Sequence, residues 1–249
     1  MVAELSYGAA LDRLRGAQKT AKGVSLYSRY VNRPLGRRLA AAAYRLRLTP
    51  NQVTLVSAVF SFAGVAAVAA LPPSWPLALG VYATLVLGFA LDSADGQLAR
   101  LRGRSSPAGE WLDHAVDCAK ITALHGAVLI AFYRHFELPA EGWLLVPLVF
   151  QLAAVLVFFG GLLTDKLRPR PAARGAGAPQ APPSRLRAVA LLPVDYGVMC
   201  AVFLLLADER AFRLGYAALC CAYVAFCAAF SVKWFRELSA VNAESAARS

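Results

Sequence analysis

Charged residues are scarce in this chain. Asp, Glu, Lys and Arg make up 16% of its 249 residues and hydrophobic residues make up 58%, whereas a soluble domain carries about 25% charged residues. The hydrophobic residues form long runs that short polar links separate. Because a helix needs about 20 apolar residues to cross a bilayer, the pattern argues against a soluble enzyme and predicts an all-α, polytopic membrane protein.

Cysteine and histidine are also few, with five and three residues. The cysteines lie in apolar stretches without CxxC spacing, which argues against a zinc or redox site and predicts buried, reduced thiols. On helical spacing, His114 and His125 point roughly 100° or more away from the aspartates described below. His135 falls on the opposite side of the membrane. We therefore expect no catalytic histidine.

The apolar runs predict six membrane-spanning helices. The segment before the first run is basic and has no early apolar stretch, so we expect no cleaved signal peptide. The predicted spans are residues 51–71, 77–99, 110–133, 142–164, 188–207 and 212–234. They divide the chain into a basic arm (1–50), a six-helix membrane domain (51–235) and a tail (236–249).

Positive charge alternates between the links. The cations of this chain, whose net charge is +11, crowd into residues 1–50, 100–109 and 165–187 and into the C-terminal end. Loops rich in Lys and Arg stay cytoplasmic, so we expect both termini on the cytoplasmic side of the plasma membrane. Because these cations lie beside apolar segments, they indicate anionic membrane lipids as the partner and not nucleic acid.

An amphipathic helix is predicted ahead of the first span. Pro34 suits a first helical turn, and Leu35, Leu39 and Ala42 or Ala43 recur at helical spacing up to Leu46. Such a helix would lie in the headgroup layer. A solvated basic arm is the alternative.

Four aspartates stand near the cytoplasmic ends of the second and third spans. Asp92 and Asp95 share one helical face, and Asp113 and Asp117 lie one turn apart on the next helix, which the short link makes an antiparallel neighbour. An aspartate at mid-bilayer depth costs roughly 2.5–3.5 kcal/mol. Divalent cations prefer carboxylate oxygens and would offset this cost. The cluster therefore predicts a two-metal site suited to phosphoryl chemistry, open to the cytoplasm.

Three other interpretations of the aspartates are open. A divalent-cation transporter would also need acids within the membrane, although at mid-depth and not towards one side. A catalytically silent scaffold could retain the fold. A structural ion network would instead pair the aspartates with Arg100, Arg102, Arg104 and Lys120.

The string Asp92-x2-Asp95-Gly96-x2-Ala99-Arg100-x8-Gly109-x3-Asp113-x3-Asp117 resembles the signature of the CDP-alcohol phosphotransferases, also called CDP-alcohol phosphatidyltransferases. The resemblance implies a membrane transferase that cleaves the pyrophosphate of a CDP-linked donor, releases CMP and joins the remaining phosphoryl group to an alcohol. It implies two Mg²⁺ or Mn²⁺ ions held by Asp92, Asp95, Asp113 and Asp117, with Asp117 also accepting the proton of the alcohol. It further implies contacts to the nucleotide and donor from Asn51, Thr54, Gly96, Ala99, Arg100, Ser106 and Gly109.

Two substrate arrangements are consistent with that family. CDP-diacylglycerol would donate to a small polar alcohol such as inositol phosphate or glycerol phosphate, which we favour, or CDP-choline or CDP-ethanolamine would donate to diacylglycerol. Residues 28–39 are similar to the inositol-phosphate-transferring branch, some of whose members use CDP-inositol as donor.

Lys120 and Asp195 are the candidate residues for binding the acceptor. Lys120 shares a helical face with Asp113 and Asp117, and Asp195 lies in the predicted fifth span. A salt bridge from Asp195 to Arg185 or Arg187 is the alternative role. Small-residue faces on spans three to six leave a homodimer open.

Overall fold

The computed structural model of the protein describes residues 5–16, 24–103, 106–168 and 185–246. These residues form helices and turns, and no strand occurs among them, which confirms the all-α prediction. In chain order the α-helices are α1 (Tyr7–Gly16), α2 (Arg33–Arg45), α3 (Pro50–Ala70), α4 (Trp75–Leu101), α5 (Pro107–His135), α6 (Leu145–Leu167), α7 (Arg185–Ala190), α8 (Tyr196–Val202) and α9 (Glu209–Ala246). Single turns of other helix types occupy Ser28–Asn32, Glu141–Leu144, Leu192–Val194 and Phe203–Leu205.

Five helices of the described residues are long and apolar enough to cross a membrane: α3, α4, α5, α6 with its preceding turn, and α9. The predicted count of six continuous spans is therefore not confirmed. The predicted span 188–207 is broken into α7, α8 and two single turns. Pro193 has no N–H to continue a helix, and Asp195 is extended (φ −83°, ψ 132°) while its carboxylate accepts a hydrogen bond from the N–H of Gly197 at 2.7 Å. A new helix starts there.

Capping residues set the start of each spanning helix around the aspartates. Thr49 and Gln52 form a reciprocal capping box at α3, with Pro50 in the first turn. The hydroxyl of Ser74 accepts from the N–H of Leu77 at α4. The hydroxyl of Ser106 does the same for Gly109 at α5. These caps start α4 and α5 two and three residues before the predicted limits, and both helices also end two residues beyond them.

The predicted helix ahead of the first span is confirmed as α2, which begins at Arg33 and ends at Arg45. Its buried residues are small ones, Gly36, Ala40, Ala41 and Ala43, and not the leucines. A methyl group added to Gly36 would lie 2.8 Å from the Cβ of Ser93 on α4. The small face thus brings the backbone of α2 against α4, an approach that bulky leucines would prevent.

Close packing between α3 and α4 also depends on a glycine. A methyl group on Gly88 would lie 3.2 Å from the carbonyl oxygen of Ser57, and the hydroxyl of Ser57 donates to the Gly88 carbonyl at 2.8 Å. Both α4 and α5 pack along α3, whereas they make few direct contacts with each other. α4 and α5 are neighbours that meet through side chains, as where Lys120 contacts Asp92, and their backbones are not closely packed. Since α3 supports both, a gap is left between them.

Candidate active site

The gap between α4 and α5 is lined by the predicted aspartates. Asp92 and Asp95 come from α4, and Asp113 and Asp117 come from α5. Asp95 is buried, while the side chains of Asp92 and Asp117 are 21% and 29% exposed. The fold thus brings carboxylates from two consecutive helices to one partly open site.

Lys120 bridges two of these aspartates. Its Nζ lies 2.5 Å from Oδ1 of Asp92 and 3.3 Å from Oδ1 of Asp117, and it donates to the hydroxyl of Ser57 at 3.1 Å. An ammonium group has three N–H donors, so these three partners use all of them. The sequence predicted Lys120 beside Asp113 and Asp117, and the structure adds Asp92 from the other helix.

Asp95 is held from α3. Its Oδ2 accepts a hydrogen bond from the hydroxyl of Thr54 at 2.6 Å, and its Oδ1 accepts from the N–H of Gly96. Thr54 is itself buried. The carboxylate of Asp95 is therefore fixed in orientation by a hydroxyl and a backbone amide.

The residues expected to contact the nucleotide lie around the same end of the gap. A methyl group on Gly109 would lie 3.0 Å from Oδ1 of Asn51 and 3.1 Å from the hydroxyl of Ser106, so these three residues form one small cluster. The guanidinium of Arg100 folds back towards Gly96. Its Nε is buried without a hydrogen-bond partner among the described residues.

The structure groups three side chains closely enough to share a metal ion. Ligand atoms of Asp113, His114 and Asp117 all lie within 4.8 Å of one another. The expectation that His114 points away from the aspartates is wrong. It follows Asp113 directly, and its long imidazole ring spans the angular offset between adjacent helical positions. This group does not include Asp92, which pairs with Lys120, or Asp95, which accepts a hydrogen bond from Thr54.

A cavity of about 140 Å³ extends from Asp92, Asp117 and Lys120 into the membrane domain. The aromatic rings of Phe89 and Tyr196 contribute to its wall, with their centroids 5.1 Å apart in an edge arrangement. The aspartate site therefore continues into a partly open, largely apolar cavity.

Asp195 does not reach the aspartate gap. Its carboxylate accepts hydrogen bonds from the hydroxyls of Ser28, at 2.7 Å, and of Ser25, besides capping α8. Asp195 thus ties the turn at Ser28–Asn32 to the break in the fifth predicted span. The proposed salt bridge cannot be described, because the side chains of Arg185 and Arg187 lie outside the described residues.

The same N-terminal turn packs over α8. The ring of Tyr27 lies directly against Gly197, where no side chain would fit. Burial, followed by the neighbouring hydroxyl of Tyr82, raises the pKa of Tyr27 to about 12, so this hydroxyl stays protonated and neutral. Burial, followed by the nearby Arg29, lowers the pKa of Arg33.

Spacing alone did not identify three polar side chains of the site. Ser57 and Ser61 follow Thr54 on α3 at helical spacing, and this polar stripe on an apolar helix was a signal that could have found them. Tyr196 gave no such signal, because its position depends on the break at Asp195.

Comparison with known proteins identifies the class. Residues 47–235 match the family described as CDP-alcohol phosphatidyltransferase. The chain belongs to this family, and it is therefore a membrane transferase and not a cation transporter. The match includes all four aspartates, the whole of α3 to α6 and the part of α9 up to residue 235.

Individual relatives agree with this assignment. The chain is 30% identical over 114 residues to the archaetidylinositol phosphate synthase of Aeropyrum pernix, a match that covers 42% of this chain and 59% of that protein's length. The chain therefore spans less than two thirds of this relative. Its fold is similar to the solved structure of Mycobacterium tuberculosis phosphatidylinositol phosphate synthase with CDP-DAG bound, with a TM-score of 0.52, 20% identity, and coverage of 84% of this chain and 93% of that one.

Proposed function

We propose that this protein transfers a phosphatidyl group from CDP-diacylglycerol to a small phosphorylated polyol, inositol phosphate in the first instance, and releases CMP. The observation that carries the proposal is the convergence of Asp92, Asp113 and Asp117 from two helices on one gap. The names of the two relatives support the acceptor, and the ligand of the solved one supports the donor.

Asp117 is proposed to accept the proton of the attacking hydroxyl. The oxygen of that hydroxyl then bonds to the β-phosphorus of the donor, the bond from this phosphorus to the bridging oxygen breaks, and CMP leaves with that oxygen. Lys120 holds one oxygen of Asp117 at 3.3 Å, which fixes the carboxylate for this role. Such chemistry depends mainly on positioning and on charge stabilisation.

The nucleotide end of the donor is proposed to lie against the N-terminal ends of α3 and α5. Asn51, Ser106 and Gly109 form one cluster there, and Thr54 holds Asp95. Gly96 and Ala99 leave room for the diphosphate. Arg100 supplies a guanidinium whose buried Nε has no partner among the described residues, as suits a phosphate-binding side chain.

The donor set fits divalent metal. Asp113, His114 and Asp117 offer ligand atoms within 4.8 Å of one another, and Asp92 and Asp95 stand at the same gap. Carboxylate oxygens suit Mg²⁺ and Mn²⁺. When bound, two such ions would neutralise charge on the diphosphate. We propose all four aspartates as their ligands.

The positive links support a site that opens to the cytoplasm at the plasma membrane, with a basic arm over residues 1–50, a membrane domain over 51–235 and a tail over 236–249. The helix α2 packs beside the aspartate end of α4, since Gln97 donates to the carbonyl of Arg33 at 3.2 Å. The lipid donor would then enter from the inner leaflet, and the soluble acceptor from the cytoplasm.

Purified protein in lipid nanodiscs, supplied with CDP-diacylglycerol, Mg²⁺ or Mn²⁺ and one acceptor at a time, tests the proposal. Inositol phosphate should give CMP and a phospholipid of matching mass. Glycerol phosphate is the second acceptor to try. Product formation only from CDP-inositol, or only from CDP-choline or CDP-ethanolamine with diacylglycerol, would replace the proposed substrates with those of another branch.

A further inference from the structure

Two residues that line the cavity beside Asp117 carry a buried hydroxyl group without a partner among the described residues. The hydroxyl oxygens of Ser61 and Tyr196 are both buried, and neither has a hydrogen-bond partner in the described part of the chain. Both residues line the same cavity, together with Asp92, Asp117 and Lys120. Buried polar groups without partners cost about 1–3 kcal/mol each, so two in one chamber indicate a ligand.

The two hydroxyls are rigidly placed. The hydroxyl oxygen of Ser61 on α3 lies beside Gly88 of α4, where a methyl group on the glycine would collide with it. Tyr196 is the first residue of α8, and the ring of Phe89 packs against its edge. Asp195 fixes the start of α8 by accepting from Gly197 and from Ser28, both at 2.7 Å. Asp195 is therefore a positioning residue for Tyr196.

The charge of the cavity limits what it can take. Two carboxylates and one ammonium group line it, so its formal charge is negative, and Lys120 has no free N–H for an anion. A phosphate would be repelled from Asp92 and Asp117. An acyl chain would leave Ser61 and Tyr196 without partners. A neutral hydroxyl group satisfies both residues and tolerates the charge.

The volume also suits a polyol. The cavity holds about 140 Å³, whereas a single water needs only about 10–15 Å³. A carbon skeleton with more than one hydroxyl can therefore enter, with its phosphate left outside towards the basic residues of the cytoplasmic side.

We propose that Ser61 and Tyr196 bind a second hydroxyl of the acceptor while the attacking hydroxyl approaches Asp117. The cavity would thereby select acceptors with neighbouring hydroxyls over simple alcohols. This inference rests on the proposed function, since it assigns the acceptor side of the same site.

The experiment pairs a change in the enzyme with a change in the acceptor. Tyr196→Phe and Ser61→Ala each remove one hydroxyl and keep the packing. Glycerol 3-phosphate is compared with 3-hydroxypropyl phosphate, which lacks the middle hydroxyl, and inositol phosphate with a deoxy analogue. Each variant should lower kcat/KM for the complete polyol about three- to tenfold, as expected for one hydrogen bond, and leave the KM for CDP-diacylglycerol unchanged.

The loss should be smaller for the acceptor that already lacks the hydroxyl, because the enzyme and substrate changes then remove the same contact. Tyr223→Phe is the control, since its hydroxyl donates to the Val194 carbonyl at 3.1 Å and not into the cavity; it should not alter acceptor preference. Equal losses for complete and deoxy acceptors, or no loss in either variant, would overturn the inference. Failure of the wild-type protein to use any polyol phosphate would instead refute the proposed function.

Discussion

Asp117 is the residue on which the proposed chemistry depends most directly. Replacing it with Asn removes the proton acceptor but keeps the size of the side chain. We expect transfer to fall by about 10²–10⁴-fold, the usual contribution of a general base, while thermal stability and binding of the CDP-linked donor largely remain. CMP release and donor binding measure the two effects.

Asp165→Asn is the matched control for this prediction. Asp165 is 79% exposed and pairs with Arg168 at 3.8 Å, away from the aspartate gap, so its loss should leave turnover intact. Unchanged turnover in Asp117→Asn would show that another group accepts the proton.

Lys120 should matter for stability as well as for activity. Lys120→Met leaves Asp92 and Asp117 close together without their shared cation, and it leaves the hydroxyl of Ser57 without its donor. Because Lys120 is only 6% exposed, we expect a loss on the order of 2–3 kcal/mol in the free energy of unfolding. Thermal unfolding in detergent without added metal measures it.

Lys166→Met is the comparison for Lys120. Lys166 pairs with Glu110 but is 60% exposed, and an exposed pair contributes about 0–1 kcal/mol. Equal destabilisation by the two substitutions would argue that the bridge at Lys120 contributes no more than a surface ion pair.

At the scale of single residues, the sequence predicted the helical faces of the aspartates better than the side chains that contact them. The spacing of Asp92, Asp95, Asp113 and Asp117 places them on two faces, because helical periodicity fixes directions within one helix. It could not predict that Lys120 reaches Asp92, since that contact joins α5 to α4 through tertiary packing. His114 was misjudged for the related reason that a direction from the helix axis does not give the reach of a side chain.

At the scale of helices, the approach of α2 to α4 should depend on a missing methyl group. In Gly36→Ala the new Cβ would lie 2.8 Å from Cβ and Oγ of Ser93 and 3.0 Å from the carbonyl oxygen of Ala90. The backbone carbonyl cannot rotate away. We expect a loss of about 1–3 kcal/mol in the free energy of unfolding, as overpacking causes, measured by thermal unfolding.

Gly126→Ala tests whether that loss comes from the contact. A methyl group at Gly126 meets nothing within 4 Å, and Ala favours a helix more than Gly by about 1 kcal/mol. Gly126→Ala should therefore be neutral or stabilising. A similar destabilisation in both variants would assign the effect to helix glycines in general.

Helix existence was predicted well, and helix continuity was not. Hydropathy identified every long spanning helix, because composition alone decides whether a run suits a bilayer. It also ran through residues 188–207, although Pro193 and Asp195 carry signals for a break. Because hydropathy is averaged over a window of about 20 residues, two helix-breaking residues in an apolar run hardly change its value. For α2, the helix itself was predicted from Leu35 and Leu39, whereas the burial of Gly36 and Ala40 depends on tertiary packing against α4.

At the scale of the whole molecule, the described residues place the site at one end of the bundle. Gly36 and Arg33 of α2 contact the aspartate end of α4, at Ser93 and Gln97. The Leu71–Ser74 link lies at the other end of the same helix. An aspartate site on the side of α2 would therefore share the compartment of the basic N-terminal arm. The positive charge of the links assigns this compartment to the cytoplasm.

Labelling with a membrane-impermeant maleimide tests that orientation. Arg45→Cys reports the end of α2, Pro72→Cys the link between α3 and α4, and Glu141→Cys the link before α6; all three residues are exposed. Because cationic links remain cytoplasmic, intact cells should label Pro72→Cys and Glu141→Cys, and Arg45→Cys should react only after lysis. The unsubstituted protein is the control for its five cysteines. The opposite labelling pattern would place the aspartates outside the cell, where cytoplasmic CDP-linked donors and acceptors could not reach them.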